Sequence, residues 1–392
     1  MKKIWIVAVA VILVIALAAC GGNKGSAPSA PAPGPGGSPG NSAPAGGGGG
    51  PSTTQPLVVG FIYIGTINDG GYTQSQHQAT MALQKALGDK VKCIWLENID
   101  DTNSQAAQDA AKQLIDQGAT VVIGTSFGFG DGLFQMAQSG NYNNIKFLHF
   151  SGSNINDTNF GNYFGAMEEP RYLSGIIAGM QTKSNKIGYV AAYPNTEVQI
   201  GINALALGAQ SVNPNATVSV VYINSWYDPA QEKAAAEALL SQGCDVIAQH
   251  SDTPGPMLAA AAAGKLGIGY DLDNSQLDGL QDSYLTAPIW HQETYLIPAV
   301  TAMINGTWKP ESYYGNMADG MVALAPLTKN VTPEAKAKVE QVEAQIKAGN
   351  FPIFKGPIYD NQGNEVVKDG QTLDRAAIWT TNYLVKGVTA AQ

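Results

Sequence analysis

"AAKQLIDQGATVVIGTS" (residues 110–126) and "AAEALLSQGCDVIAQHS" (residues 235–251) align without a gap. Each begins as an amphipathic helix, reaches a Gly where the helix stops, and continues as an apolar strand ending in Ser. The flanking sequence repeats as well. "VKCIWLEN" and "VSVVYIN" read as strands that feed the repeated helix, and upstream "LVVGFIYIG" and "KIGYVAAYP" each precede another helical segment. Strand, helix, strand, helix, strand therefore occurs twice. Such alternation implies parallel sheets with right-handed crossovers. The near-continuous apolar strands agree, because parallel strands are covered on both faces. The expected fold class is α/β, with two similar Rossmann-like lobes, one beginning near Pro56 and the other near Glu168. In open parallel sheets the ligand lies beyond the carboxyl ends of the strands, so both sets of strand-end loops are expected to line one shared crevice.

Outside the repeat the chain changes character. Lys2 and Lys3 precede an unbroken apolar run over residues 4–17, which has the length of a signal-peptide core rather than of a membrane span. The run ends in Leu17-Ala18-Ala19-Cys20. These small residues before a cysteine resemble a bacterial lipobox, which implies cleavage after residue 19, a lipid on the Cys20 sulfur, and a body held at the outside of the cell membrane. Residues 21–55 are almost wholly Gly, Pro, Ser, Ala and Asn and read as a flexible tether. The remaining body, about 335 residues, has room for two domains. Lobe one is expected over residues 56–167 with a return segment at about 286–325. Lobe two is expected over 168–285 with part of 326–392. The net charge of −9 makes a nucleic-acid partner unlike this chain. Cys93 and Cys244 sit in no metal-ligand spacing and read as two thiols.

The strand-end loops carry the candidate site. "YIGTINDGGYTQ" offers Tyr63, Asp69, Gly71 and Tyr72, and "SFGFGDG" offers Ser126 and Phe127. In the second lobe "NSWYDP" offers Trp226 and Asp228, "HSDTPGP" offers His250, Ser251 and Asp252, and "GYDLDN" offers Tyr270 and Asp271. Aromatics come from both lobes, carboxylates and hydroxyls lie between them, and Lys and Arg are scarce. That set suits a flat, uncharged ligand with polar edges, whose faces stack on rings and whose N–H groups donate to carboxylates. A phosphate would call for Arg, Lys or a Gly-rich helix start. Each residue also has a plainer reading. An aromatic after a strand can be core. Asp228 before Pro229 can be a helix cap, and Asp69 can brace its own turn. His250 reads as a structural histidine with its hydrogen bonds satisfied.

The stretches "VVGFIYIGTINDGGYTQSQHQA", "GTSFGFGD", "NSWYDPAQEKAAAEALLSQGCDVIAQHSD" and "GYDLD" resemble the basic membrane protein family of ABC-transporter substrate-binding lipoproteins. The likeness covers nearly all of the body, and "KGPIYDNQG" resembles the family's closing hairpin. It implies a type I periplasmic-binding-protein fold with three hinge crossings, and a purine base or nucleoside as ligand. It also implies an ABC permease and ATPase as partners, a monomer, and no cofactor. On this resemblance Asp69 and Tyr72 fall on the family's Asp and Phe after the first strand. Trp226 is the candidate for the second stacking ring, and Asp271 matches the Asp that takes ribose hydroxyls. One departure matters. "LTAPIWHQETY" places Trp290 where nucleoside binders carry a ribose-holding Lys, which favours a bare base such as adenine.

Other functions fit less well. No P-loop, G-x-S-x-G elbow or zinc pattern is present, and "DLDNSQLDG" lacks the Gly and Glu of a calcium loop. An enzyme is therefore not expected. A sugar remains the alternative ligand of the same fold, although Arg171 alone stands near a candidate loop to fork vicinal hydroxyls. A sensory or adhesive surface lipoprotein is the remaining alternative.

Overall fold

The computed structural model describes residues 55–391. The apolar run, Cys20 and nearly all of the tether lie outside the described residues. Strands β1 (Leu57–Ile62), β2 (Val91–Leu96), β3 (Val121–Gly124), β4 (Lys146–Phe150) and β5 (Phe160–Gly165) alternate with helices α1 (Tyr72–Leu87), α2 (Ser104–Asp116) and α3 (Gly130–Gln138). Helix α4 (Glu168–Gln181) leads into β6 (Lys186–Ala191), α5 (Thr196–Val212), β7 (Thr217–Tyr222), α6 (Pro229–Ser241), β8 (Val246–His250), α7 (Gly255–Ala262), β9 (Leu266–Ile268) and β10 (Tyr284–Thr286). Then come β11 (Pro288–Trp290), α8 (Glu293–Ile304), β12 (Ser312–Gly315), β13 (Val322–Leu324) and α9 (Pro333–Lys347). The hairpin β14 (Ile358–Tyr359) and β15 (Glu365–Val367), the short α10 (Arg375–Ile378) and β16 (Val388–Ala391) complete the described chain.

Two six-stranded sheets result, ordered β12-β5-β4-β3-β1-β2 and β10-β9-β8-β6-β7-β16. Every pairing within them is parallel. The first strand of each lobe sits between the second and third, so the strand order reverses at β1/β3 and at β6/β8. Those are the positions where open α/β sheets bind ligands.

The repeat is visible in the packing. Gly118 and Gly243 stop α2 and α6 with φ of +98° and +90°, a conformation that costs a side-chain-bearing residue strain. Above each sheet a leucine of the repeated helix presses onto a glycine of the first strand. A Cβ at Gly60 would meet the Leu114 Cβ at 3.0 Å, and one at Gly188 would meet the Leu239 Cβ at 3.0 Å. Bare strand surface lets the helix approach, and each leucine so buried contributes roughly 1.5–3 kcal/mol. Ala107, Ala110 and Ala111 on α2, and Ala235 and Ala236 on α6, complete these close-packed faces.

The chain passes between the sheets three times, at residues 166–167 after β5, through β11 after β10, and through β13 after β12. β11 and β13 pair antiparallel, Pro288 opposite Leu324 and Trp290 opposite Val322, so two crossings form one short ribbon. Cys93 is half-buried and Cys244 buried, and both are free thiols. Among the described residues no helix is long and apolar enough to cross a membrane.

Candidate functional site

A cavity with about 340 Å³ of empty space, the open solvent at its mouth included, lies between the lobes. Every lining residue comes from the carboxyl end of a strand, the loop after it, or the first turn of the helix that follows. Ile64 and Tyr72 follow β1, Ser126 and Phe127 follow β3, and Phe150 and Ser151 end β4. From the second lobe Glu197 follows β6, Trp226 follows β7, His250 and Asp252 end β8, and Tyr270 follows β9. The lining is thus aromatic and acidic, with no lysine or arginine. Ser151 holds φ of +66° and Asp271 +72°, uncommon values for residues with side chains and a form of local strain that gathers at ligand sites.

Seven of the residues offered by the strand-end loops line this cavity together: Tyr72, Ser126, Phe127, Trp226, His250, Asp252 and Tyr270. The Tyr72 hydroxyl donates to the Thr125 carbonyl, which fixes its ring. The Asp252 amide donates to the Trp226 carbonyl at 3.0 Å, tying the two second-lobe loops to each other. Ser126 donates its hydroxyl to Asp101 at 2.6 Å, and Phe127 is 63 % exposed.

The other seven candidates, Trp290 included, are placed elsewhere, each for a physical reason. Tyr63 is core, its hydroxyl bonded to Thr80 at 2.7 Å. Asp69 accepts from the backbone amides of Gly71, Thr73 and Gln74 at 2.8–3.0 Å and braces the start of α1. Asp228 caps α6 through the Gln231 amide at 3.0 Å and also holds the Gln231 side chain. Ser251 donates to the buried Glu232, which also accepts from the Thr253 amide and hydroxyl. Gly71 lies on the seam between the lobes. Asp271 and Trp290 are bonded to each other, Trp290 Nε1 donating to Asp271 Oδ1 at 3.2 Å. The Trp290 ring then packs edge-on against Phe150, 5.0 Å between centroids, behind the cavity wall.

Beneath the cavity lies a buried polar layer that sequence reasoning only partly reached. Arg171, fully buried on α4, donates to the Gln249 carbonyl and sits 3.9 Å over the Tyr270 ring. Its Nε and Nη2 have no partner among the described residues. The same holds for Asp271 Oδ2 and for both ring nitrogens of His250. His250 is therefore not the satisfied structural histidine expected above. It is 2 % exposed, and its Nε2 stands 3.8 Å from Glu197 Oε1, beyond hydrogen-bond reach. Burial, reinforced by Arg171, pushes His250 well below the usual histidine range, so it is neutral. Burial pushes Glu197 up to about 7 against the opposing pull of Arg171. Burial also lifts Asp252 and Asp271 well above the usual carboxylate range, with neighbouring carboxylates adding to the lift.

Ile64, Phe150, Ser151 and Glu197 line the cavity without having been expected from the sequence. The signal for Glu197 was available, because "YPNTE" follows the first strand of the second lobe as "NDGGYTQ" follows that of the first.

The lobes touch across the mouth. Asn274 Nδ2 donates to the Gly70 carbonyl at 2.9 Å. A Cβ on Gly71 would lie 1.9 Å from the Asp252 carbonyl oxygen. Only a glycine allows the two backbones to approach this closely.

Comparisons with known proteins agree with this architecture. The chain is 37 % identical to a purine-binding protein of Brucella abortus (strain 2308) over 85 % of its own length and 93 % of that protein. It is 35 % identical to a Haloferax volcanii protein named as an ABC transporter glucose-binding protein, over 80 % of this chain and 78 % of the other. Solved ABC-transporter solute-binding proteins from Aeropyrum pernix K1 (TM-score 0.63, 17 % identity, 78 % of this chain and 93 % of that one) and Conexibacter woesei (0.62, 18 %, 75 % and 97 %) share the fold. The sequence profile described as "ABC transporter substrate-binding protein PnrA-like" matches residues 57–355, and the chain belongs to that family of substrate-binding proteins.

Proposed function

We propose that this ABC-transporter substrate-binding protein captures a purine base of the adenine kind between its lobes and delivers it to a permease and ATPase. The observation that carries the reading is the cavity lining. Tyr72 from one lobe and Trp226 from the other face the same space, with Asp252, Glu197 and Ser126 at its edges and no cation. Rings hold a flat ligand by its faces, and acidic groups take hydrogens from its rim. A phosphorylated ligand would meet carboxyl groups without a compensating charge. The pairing of Trp290 with Asp271 supports a base over a nucleoside, because it engages one oxygen of the carboxylate expected to take ribose hydroxyls. The purine-binding relative in Brucella abortus points the same way.

A nucleoside is the second reading. It is favoured by an adjoining cavity that shares Glu197, His250 and Tyr270 with the first, on the side toward which a ribose would extend. Calorimetry with adenine, hypoxanthine, guanine, adenosine, ribose and glucose decides between them. Adenine is expected to bind most tightly. Adenosine binding much more tightly than adenine would replace the base by the nucleoside. Heat from glucose alone would move the protein to the sugar reading.

We also propose that the body is anchored at the outer face of the cell membrane by a lipid on Cys20. Labelled fatty acid is expected in the wild type and absent from Cys20→Ser, which accumulates as the unprocessed precursor. Equal labelling of the two would remove the anchor from the account.

A further inference from the structure

The wall shared by the two cavities consists of Glu197, His250 and Tyr270. On this wall, hydrogen-bonding groups without a partner among the described residues meet the cavity. His250 is buried with both ring nitrogens unpartnered among the described residues. Glu197, with 18 % of its side chain accessible, faces it across 3.8 Å. In this closed state neither group is bonded to the other. A ligand edge inserted beside them would complete both.

We propose that Glu197 reads the hydrogen-bonding edge of the bound purine as a carboxylic acid, giving one hydrogen and accepting one, with neutral His250 beside it. This rests on the purine reading above and specifies which purine the site selects. A carboxylic acid pairs O–H to a ring nitrogen and C=O to the adjacent amino group, which is the pattern of the adenine amidine edge. A carboxylate can only accept. It would instead favour guanine, whose N1–H and 2-amino group are two adjacent donors. Hypoxanthine also offers one donor and one acceptor and falls with adenine.

The surroundings favour the acid form. Arg171 from α4 is the cation that acts on Glu197; its Nη1 donates to the Gln249 carbonyl and its plane lies over the Tyr270 ring, while Nε and Nη2 have no partner among the described residues. Tyr72, Tyr270 and Asp271 also face Glu197 from their own elements. Burial outweighs the pull of Arg171 and pushes Glu197 up to about 7. Glu168, on the far wall of the second cavity, is pushed up to about 7 as well, but the Tyr314 hydroxyl already donates to it at 3.1 Å.

The sign follows directly. Below pH 7 Glu197 carries the proton that adenine needs, and above it the donor is lost. Wild-type affinity for adenine is expected to fall about tenfold between pH 6 and pH 8.5, while guanine, if it binds, strengthens over the same range. Glu197→Gln keeps one donor and one acceptor at every pH, so its adenine affinity is expected to be flat and close to the wild-type value at pH 6. Glu197→Met is expected to lose tenfold or more at pH 6. Unliganded melting curves establish that each variant is folded, and the wild-type profile needs no variant. A wild-type adenine affinity that is flat or rises with pH overturns the proposal, as does a Gln variant with the same slope as the wild type, which would point to Glu168. Wild-type-like binding by the Met variant overturns it too, while leaving the purine reading standing. No binding of any purine by the wild type removes both.

Discussion

Gly71→Val is expected to weaken ligand binding by roughly a hundredfold while leaving the unliganded protein folded, with at most a small drop in melting temperature from the backbone of residue 71, whose φ of −149° and ψ of −120° suit glycine. The Cβ of any side chain at this position would sit 1.9 Å from the Asp252 carbonyl oxygen of the opposite lobe. That neighbour is backbone, anchored through the Asp252 amide to the Trp226 carbonyl, so it cannot swing aside as a long side chain would. Overpacking of this kind costs about 1–3 kcal/mol, and the upper end corresponds to about a hundredfold in affinity. The clash exists only when the lobes are closed. The clash therefore taxes the closed state, and the apparent affinity falls with the fraction that can close. Small-angle scattering should show the wild type contracting on saturation with adenine and the variant contracting less. A lowered melting temperature without ligand, together with unchanged affinity, would show that the seam forms regardless of ligand and that Gly71 serves stability instead.

Trp226→Ala is the second large effect, an expected loss of ten- to a hundredfold in purine affinity. Stacking of a base on an aromatic ring is worth about 1–3 kcal/mol. Trp226 is half-buried and leans edge-on to Tyr193, 5.3 Å between centroids, rather than being enclosed in a core. Its removal should cost little folding stability, which separates the two roles the residue could play. Trp226→Phe is expected to recover most of the affinity by calorimetry. If the alanine variant binds purine as well as the wild type, Trp226 is a packing residue and the cavity holds its ligand by other groups.

How far these features could be read from the residues differs by kind. The lobes were legible because the repeat carries its own physics: a helix period, a glycine forced to positive φ at residues 118 and 243, and an apolar strand. The rings of Tyr72 and Trp226 were legible because a duplicated sheet says which loops face each other. Of the acidic groups only Asp252 was. Asp69 and Asp228 stand before helices, where the local sequence of a cap and of a ligand contact is the same. What separates them is whether backbone amides have already taken the carboxylate oxygens, and that is a property of the folded turn. Tyr63, one residue past β1, was read as site and is core, since a strand-end register shifted by one residue exchanges inside for outside. In the sequence Arg171 stands out only as an arginine near a candidate loop. Its burial on α4, beneath Tyr270, depends on packing between segments far apart in the chain.

The parallel sheets have a consequence for how the chain becomes this protein. The edge of one sheet is completed by β12 and the edge of the other by β16, both supplied from far downstream of the strands they join. Neither lobe is a contiguous stretch that could be excised, or finished early, during synthesis. Until residues 388–391 are available, the outer edge of β7 presents unpaired amide and carbonyl groups, the template on which foreign strands add. Contacts so distant in sequence also form slowly. The nascent chain therefore passes through a long interval as a sticky, half-edged sheet, and a chaperone holding it in that interval would have β7 as its natural client surface.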